Sequence, residues 1–352
     1  MCIMESMIRV AINGLGRIGR SFFRIAVRRP ELEIVAVNDL GDAENLAYLL
    51  SHDSVYGKSA FSVSARTGDT PALLVDGVEV AFLSERDPRN LPWKKFGIDV
   101  AVEATGVFSS YEKSRAHLEA GAKRVVITAP VKDEPPVGIV GATVLMGVNE
   151  EKLETCDISS NASCTTNAGS PLIAILDEAI GIEKAVLNTV HGYTSSQSLI
   201  DAPDAKDVRR GRAAAINIVP SSTGAAKAVT KAIEELAGKF DGIAIRVPVP
   251  AGSLVDVTFI AKRPTSVEEV NEALKKAAGE ARWNKVFAVT QEPLVSSDIL
   301  GSHLASIADL NFTRVVDGNL VKVLAWYDNE MGYAYSLLEH VIKTGTYAAS
   351  SV

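Results

Sequence analysis

Short apolar runs alternate with amphipathic stretches through the first half of the chain. Ile8 to Asn13 is a run rich in β-branched residues, and apolar positions recur with helical spacing from about Ile18 to Val27. Glu33 to Asn38 is again a strand pattern and ends at Asp39. Strand, turn, helix and strand within about thirty residues make a βαβ unit. The alternation continues with a buried-strand run at Ile98–Glu103, a helical stretch around Ser110–Ala120 that stops at Gly121, and a strand at Arg124–Thr128. It predicts an α/β, doubly wound, mainly parallel sheet with helices on both faces.

The pattern changes after about Ala162. Longer strand runs span Lys184–His191, Gly242–Pro248, Asp256–Lys262 and Leu320–Tyr327, with fewer helices between them. They predict an α+β region with a mostly antiparallel sheet covered by helices on one face. Val267–Ala281 has a helical apolar period and a charged opposite face, a structural helix. Tyr333–Thr344 reads as a last helix able to pack back on the first half. Two closely packed domains are therefore expected: residues 1–163, joined by the C-terminal helix at 331–352, and residues 164–330.

Composition narrows the chemistry. A formal net charge of -7, with acids and bases mixed along the chain, disfavours a nucleic-acid partner. The densest cationic run, Arg209-Arg210-Gly211-Arg212, suits a small phosphate or a subunit contact better. No stretch approaches the ~20 apolar residues of a membrane helix. Cys2, Cys156 and Cys164 are too few and too scattered for a disulfide framework, which points to a reducing, cytoplasmic setting. Residues 1–6 lack signal-peptide character and read as a loose tail or an early start codon. No histidine pair has metal-ligand spacing, so no metal site is expected.

Two constellations carry chemistry. Gly14-Leu15-Gly16-Arg17-Ile18-Gly19 sits between a strand and a helix, where glycines permit a tight turn and close approach of a pyrophosphate. Asp39 lies 20 residues beyond Gly19, the spacing of a carboxylate that binds the adenosine ribose hydroxyls. An acid there repels a 2′-phosphate, which favours NAD over NADP. In the second, Ser163-Cys164-Thr165-Thr166-Asn167 precedes the helical run Ala168–Ile180. A lone cysteine is more often a small buried apolar residue. At a helix start, however, the macrodipole and free amides are expected to lower the thiol pKa and to hold an oxyanion. A thiol nucleophile needs a base. Of five histidines, His191 is the candidate, because it ends an apolar strand and opens the polar stretch Gly192 to Ser196. His52, His117, His303 and His340 lie in helical or loop patterns without such context.

With these motifs in place, the chain resembles the phosphorylating glyceraldehyde-3-phosphate dehydrogenases over essentially its whole length. The resemblance rests on Ala162-Ser163-Cys164-Thr165-Thr166-Asn167, on Ser222-Thr223-Gly224-Ala225-Ala226-Lys227-Ala228, on Arg246-Val247-Pro248 and on Trp326-Tyr327-Asp328-Asn329-Glu330. It implies a Rossmann-type NAD-binding domain, a catalytic domain and a homotetramer. It further implies oxidation of glyceraldehyde 3-phosphate with inorganic phosphate to 1,3-bisphosphoglycerate through a cysteine thioester, in glycolysis or gluconeogenesis. Cys164 would be nucleophile and His191 base. Thr194 and Arg246 would hold the substrate phosphate. Ser163, Thr165, Arg210, Thr223 and Gly224 would line the site or approach of inorganic phosphate. The cofactor would meet Gly14, Gly16, Arg17, Ile18, Gly19, Asp39, Thr128 and Asn329, the last on the nicotinamide carboxamide. Three positions depart from the pattern: Met331 where tryptophan is common, Ala168 where a second cysteine is common, and Ala202-Pro203 as a partial match to the NAD-type loop. The rival readings are an erythrose-4-phosphate dehydrogenase, whose relatives generally lack the equivalents of Tyr193-Thr194 and Thr223 to Lys227, and a non-catalytic binding protein on the same scaffold.

Overall fold

The structure is a computed structural model describing residues 7–350. Cys2 and the expected N-terminal tail lie outside the described residues. The chain divides into two compact units. The first runs to Val144 and includes Glu150–Ala162 and the chain from Leu337. The second comprises Leu145–Asn149 and Ser163–Ser336.

The first unit is built on a nine-stranded sheet. Its order across the sheet is Gly141–Thr143, Ile158–Ser160, Arg124–Ile127, Val100–Glu103, Ile8–Asn13, Leu32–Asn38, Val78–Leu83, Ala72–Val75 and Val63–Arg66. The first seven run parallel, and the last two are added antiparallel. The expected doubly wound sheet is thus present. The edge from Val63 to Leu83 had no counterpart in the periodicity, because its strands are short and broken by turns. The central strand is buried on both faces, with Val10, Ala11 and Ile12 at 0% exposure, which explains its unbroken apolar run. Asn13 pairs with Asn38 on one side and with Glu103 on the other, so three strands end level with one another. Ligands of open α/β sheets bind at this carboxyl edge.

The second unit holds an eight-stranded mixed sheet, mostly antiparallel. Its order is Val219–Ser222, Phe240–Val247, Ile182–Gly192, Ser253–Ala261, Leu320–Tyr327, Ser306–Asp309 and Phe287–Thr290, with Arg314–Val316 also on Leu320–Tyr327. The helix Cys164–Ala179 packs against its central strands. This helix begins at Cys164, four residues before the apolar run that predicted it, and is buried from Thr165 to Leu176. Val267–Ala278 buries only Val270, Leu274 and Ala277, the stripe its period predicts. Among the described residues no helix is long and apolar enough to cross a membrane.

Candidate active site

In the second unit, strand register assembles the chemistry. His191 is paired with Arg246 on one side and with Ser253 on the other, and Ser253 is paired with Tyr327. Directly paired residues share a sheet face, so the four form one row. Above it, Ser163 caps the helix Cys164–Ala179 with extended backbone and an Oγ that accepts the Thr166 N–H at 3.2 Å. Cys164 is consequently the first helical residue, partly exposed, with Sγ 3.4 Å from His191 Nε2. The Thr165 hydroxyl lies 2.9 Å from the Tyr327 hydroxyl, which is 2.7 Å from Thr189 Oγ1. Buried Tyr327 thereby ties the helix of the thiol to the strand of the imidazole.

The imidazole's other nitrogen lies between an acceptor and a cation. His191 Nδ1 is 2.6 Å from the Gly192 carbonyl oxygen, which can only accept. Arg246 Nη1 stands 2.6 Å from the same Nδ1 and donates to the same carbonyl at 3.2 Å. Burial first, and the Arg246 cation second, push His191 down to about 3. Burial likewise pushes the Cys164 thiol above its ordinary value, against the pull of Arg246 and of the Thr165 N–H and hydroxyl. The helix start was expected to lower the thiol. Desolvation opposes that pull at Cys164.

Arg246 is itself half-buried, and burial pulls its own value down, so the site contains a desolvated cation that an anion would relieve. The charge of Arg210 repels it, while the Arg210 Nη2 donates to Ser221 Oγ at 3.0 Å. The other expected phosphate contacts keep to local partners among the described residues. Thr194 Oγ1 is 2.8 Å from Ser196 Oγ, Thr223 Oγ1 accepts the Ala225 N–H at 3.1 Å, and Gly224 opens the helix Ala225–Ala232. Asn329 is buried, and its Oδ1 accepts from the Gly252 N–H and the Ser253 hydroxyl, both at 3.0 Å. Its amide N–H is what it can offer a ligand.

In the first unit, a cleft of about 350 Å³ opens over Asn13, Gly14, Gly16, Asp39, Arg86 and Thr105. The three glycines serve different ends. Gly14 has φ +99, and a Cβ on Gly19 would lie 1.9 Å from the Gly14 carbonyl oxygen. A Cβ on Gly16 would meet nothing within 4 Å, so its bareness leaves room for a ligand rather than for the protein. Gly16 also precedes the helix Arg17–Ala26, which has no side-chain cap and no acid in its first turn. Leading amides left uncapped in this way suit an anion such as a pyrophosphate. The Arg17 side chain is held by Asp53 at 2.5 Å, so Arg17 and Ile18 offer the site their backbone. Asp39 accepts the Leu15 N–H at 2.7 Å and the Gly41 N–H at 2.8 Å, which fastens the glycine turn. Thr128 follows the strand Arg124–Ile127, with its N–H on the Glu103 carbonyl oxygen at 3.0 Å.

Known proteins resemble the chain in sequence. Residues 8–111 match the model of the glyceraldehyde 3-phosphate dehydrogenase NAD binding domain, and residues 163–329 match that of the C-terminal domain. The chain belongs to the glyceraldehyde-3-phosphate dehydrogenase family. It is 47% identical to glyceraldehyde-3-phosphate dehydrogenase of Geobacillus stearothermophilus, over 94% of this chain and 96% of that protein. It is 48% identical to glyceraldehyde-3-phosphate dehydrogenase 1 of Streptomyces avermitilis, over 96% and 98%. For Bacillus subtilis glyceraldehyde-3-phosphate dehydrogenase 1 the identity is 47%, over 94% and 96%. NAD is the cofactor of the family's first domain, and the uncapped helix, bare Gly16 and strand-end Asp39 fit it.

Family motifs and periodicity had left part of the cleft unassigned. Arg86 and Glu85 follow the strand Val78–Leu83, which had not been recognised, so nothing marked them. Asn13 and Asn38 also line the cleft, and an asparagine at the end of each of two apolar strands was the available signal. Tyr327 lies within Trp326–Glu330, where the resemblance assigns it no role.

Proposed function

We propose that this chain is an NAD-dependent, phosphorylating glyceraldehyde-3-phosphate dehydrogenase, with residues 1–163 and the last helix as its cofactor domain and 164–330 as its catalytic domain. The observation that carries the reading is the 3.4 Å contact of Cys164 Sγ with an imidazole whose other nitrogen lies between the Gly192 carbonyl oxygen and Arg246. Arg246, with Thr194, binds the phosphate of the substrate and aligns its aldehyde carbon on Sγ. Sγ attacks that carbon while its proton passes to His191 Nε2, and the helix-start amides hold the resulting alkoxide. NAD, when bound, supplies the hydride acceptor, and Asn329 and Thr128 orient it. The thioester on Cys164 is then cleaved by inorganic phosphate, guided by Ser163, Thr165, Arg210, Thr223 and Gly224. Sγ leaves as the thiolate and recovers its proton. A reducing cytoplasm suits a thiol nucleophile.

The same reading includes a homotetramer. Val186, Ile243 and Leu320, on three strands of the second sheet, are 59%, 55% and 39% exposed, an apolar surface suited to a second copy. Light scattering of the purified chain measures this directly. The activity is tested by NADH formation from glyceraldehyde 3-phosphate and from erythrose 4-phosphate, each with and without inorganic phosphate. Turnover that requires glyceraldehyde 3-phosphate and phosphate together is expected. Equal rates without phosphate, or a preference for erythrose 4-phosphate, would overturn the assignment.

A further inference from the structure

Asn13, Asn38 and Glu103 end three parallel strands in register, and their buried side chains form one row of hydrogen bonds. Asn13 Nδ2 donates to Glu103 Oε2 at 2.6 Å. Asn38 Nδ2 donates to Asn13 Oδ1 at 2.7 Å, and the Glu85 N–H donates to Asn38 Oδ1 at 2.8 Å. The direction of donation is fixed from both ends. A carboxylate only accepts and a backbone N–H only donates, so each asparagine amide has one permitted orientation.

Glu103 is saturated with donors. Oε1 takes the Thr105 N–H at 2.8 Å and the Thr105 hydroxyl. Oε2 also takes His117 Nε2 at 3.0 Å, and Trp93 Nε1 donates to His117 Nδ1 at 3.0 Å, which sets that ring's tautomer. Four donors thus converge on the two oxygens of one buried carboxylate. Each link in the row adjoins a residue of the NAD cleft. Asn13 precedes Gly14, Asn38 precedes Asp39, Glu85 precedes Arg86, and Glu103 grips Thr105.

We propose that Glu103 is a positioning residue for NAD. Its carboxylate sets the direction of hydrogen bonding along the row, and through it the spacing of the strand ends that floor the cleft. A carboxamide at 103 must turn an NH2 toward either the Thr105 N–H or the Asn13 and His117 donors. Flipping Asn13 and Asn38 to accommodate it passes the mismatch along to the Glu85 N–H, beside Arg86. Asn13, Asn38 and Glu85 line the cleft, and Glu103, which does not, acts on the cofactor through them.

The test is calorimetric titration of the full-length chain with NAD, alongside cofactor-free alkylation of Cys164. Wild-type protein that fails to bind NAD would refute the cofactor assignment itself, before the row is in question. Glu103→Gln is expected to weaken NAD about tenfold, the effect of one buried donor losing its acceptor, with alkylation unchanged. Adding Asn13→Asp moves the carboxylate one place along the row and restores its direction. The double variant should recover NAD affinity to within about threefold of wild type while its melting temperature stays lowered by the mismatch at His117. Wild-type affinity in Glu103→Gln, or no recovery in the double variant, overturns the proposal. Should Glu103→Gln fail to fold, Asn38→Ala breaks the row at its middle, and an unchanged NAD affinity there overturns it equally.

Discussion

Replacing Asp39 with glycine separates two jobs of one carboxylate. The expected job is to bind the adenosine ribose and repel a 2′-phosphate. The second is visible in the fold, where Asp39 accepts the Leu15 and Gly41 amides at 2.7 and 2.8 Å. A hydrogen bond to a charged group contributes about 1.5–3 kcal/mol, so the two anchor the glycine turn by roughly 3–6 kcal/mol. If a third of that must be regained each time a dinucleotide binds, the toll is about 1–2 kcal/mol, a factor of roughly 5–30 on either cofactor. Asp39→Gly is therefore expected to lower kcat/KM for NAD by about a hundredfold or more, combining the loosened turn with the lost ribose contacts. NADP gains from the removed repulsion but bears the same loss, so its kcat/KM rises by about tenfold at most. Steady-state kinetics with both dinucleotides measure this, and hydrogen exchange at Leu15 and Gly41 should accelerate in the variant. A large NADP gain with NAD kcat/KM within about threefold of wild type would refute the anchoring argument and leave the Ala202-Pro203 loop as discriminator.

Other consequences are equally direct. Gly16→Ala should leave the melting temperature unchanged yet weaken NAD, because its Cβ meets no protein atom, whereas Gly19→Ala should lower both, its Cβ lying 1.9 Å from the Gly14 oxygen; equal melting temperatures in the two would contradict this. His191→Asn should slow turnover and shift the pH profile of Cys164 alkylation upward, and an unshifted profile would break the pairing of thiol and imidazole. His191 and His340 are both held down to about 3 by burial, so the unfolded chain takes up their protons first as pH falls below about 6.5. Their contribution is complete above that pH and is lost between about 6.5 and 3, each at up to about 1.4 kcal/mol per pH unit. Urea midpoints across that range should fall less steeply in His340→Asn, and an unaltered slope would count against its buried neutral state.

How much of this was legible beforehand follows from which forces are local. The strand Leu320–Tyr327 stands at its expected bounds, because alternation of exposed and buried residues is written along one strand. The βαβ unit and its glycines carry their own turn chemistry. The desolvation of Cys164 was not legible, since it comes from elements far apart in sequence. His117 and His340 looked contextless for the same reason. Each proves fully buried, with Glu103 beside His117 and with Ser159 Oγ 2.7 Å from His340 Nε2. The polarity of the Asn13 row is likewise invisible along the chain, because its members are contributed by four separate strand ends.

The rung on which Arg246, His191, Ser253 and Tyr327 sit has a consequence for how such an enzyme can be altered. One residue inserted into or deleted from any of these four strands turns its side chains to the opposite face. Imidazole, guanidinium and phenol are thus locked in phase, and no gradual drift of one past another is open to them. Length variation aimed at new aldehydes belongs instead in the connection from Tyr193 to Ile218, where the chain is largely free of regular pairing. The strands tolerate exchange of side chains; only the loop tolerates a change in the number of residues.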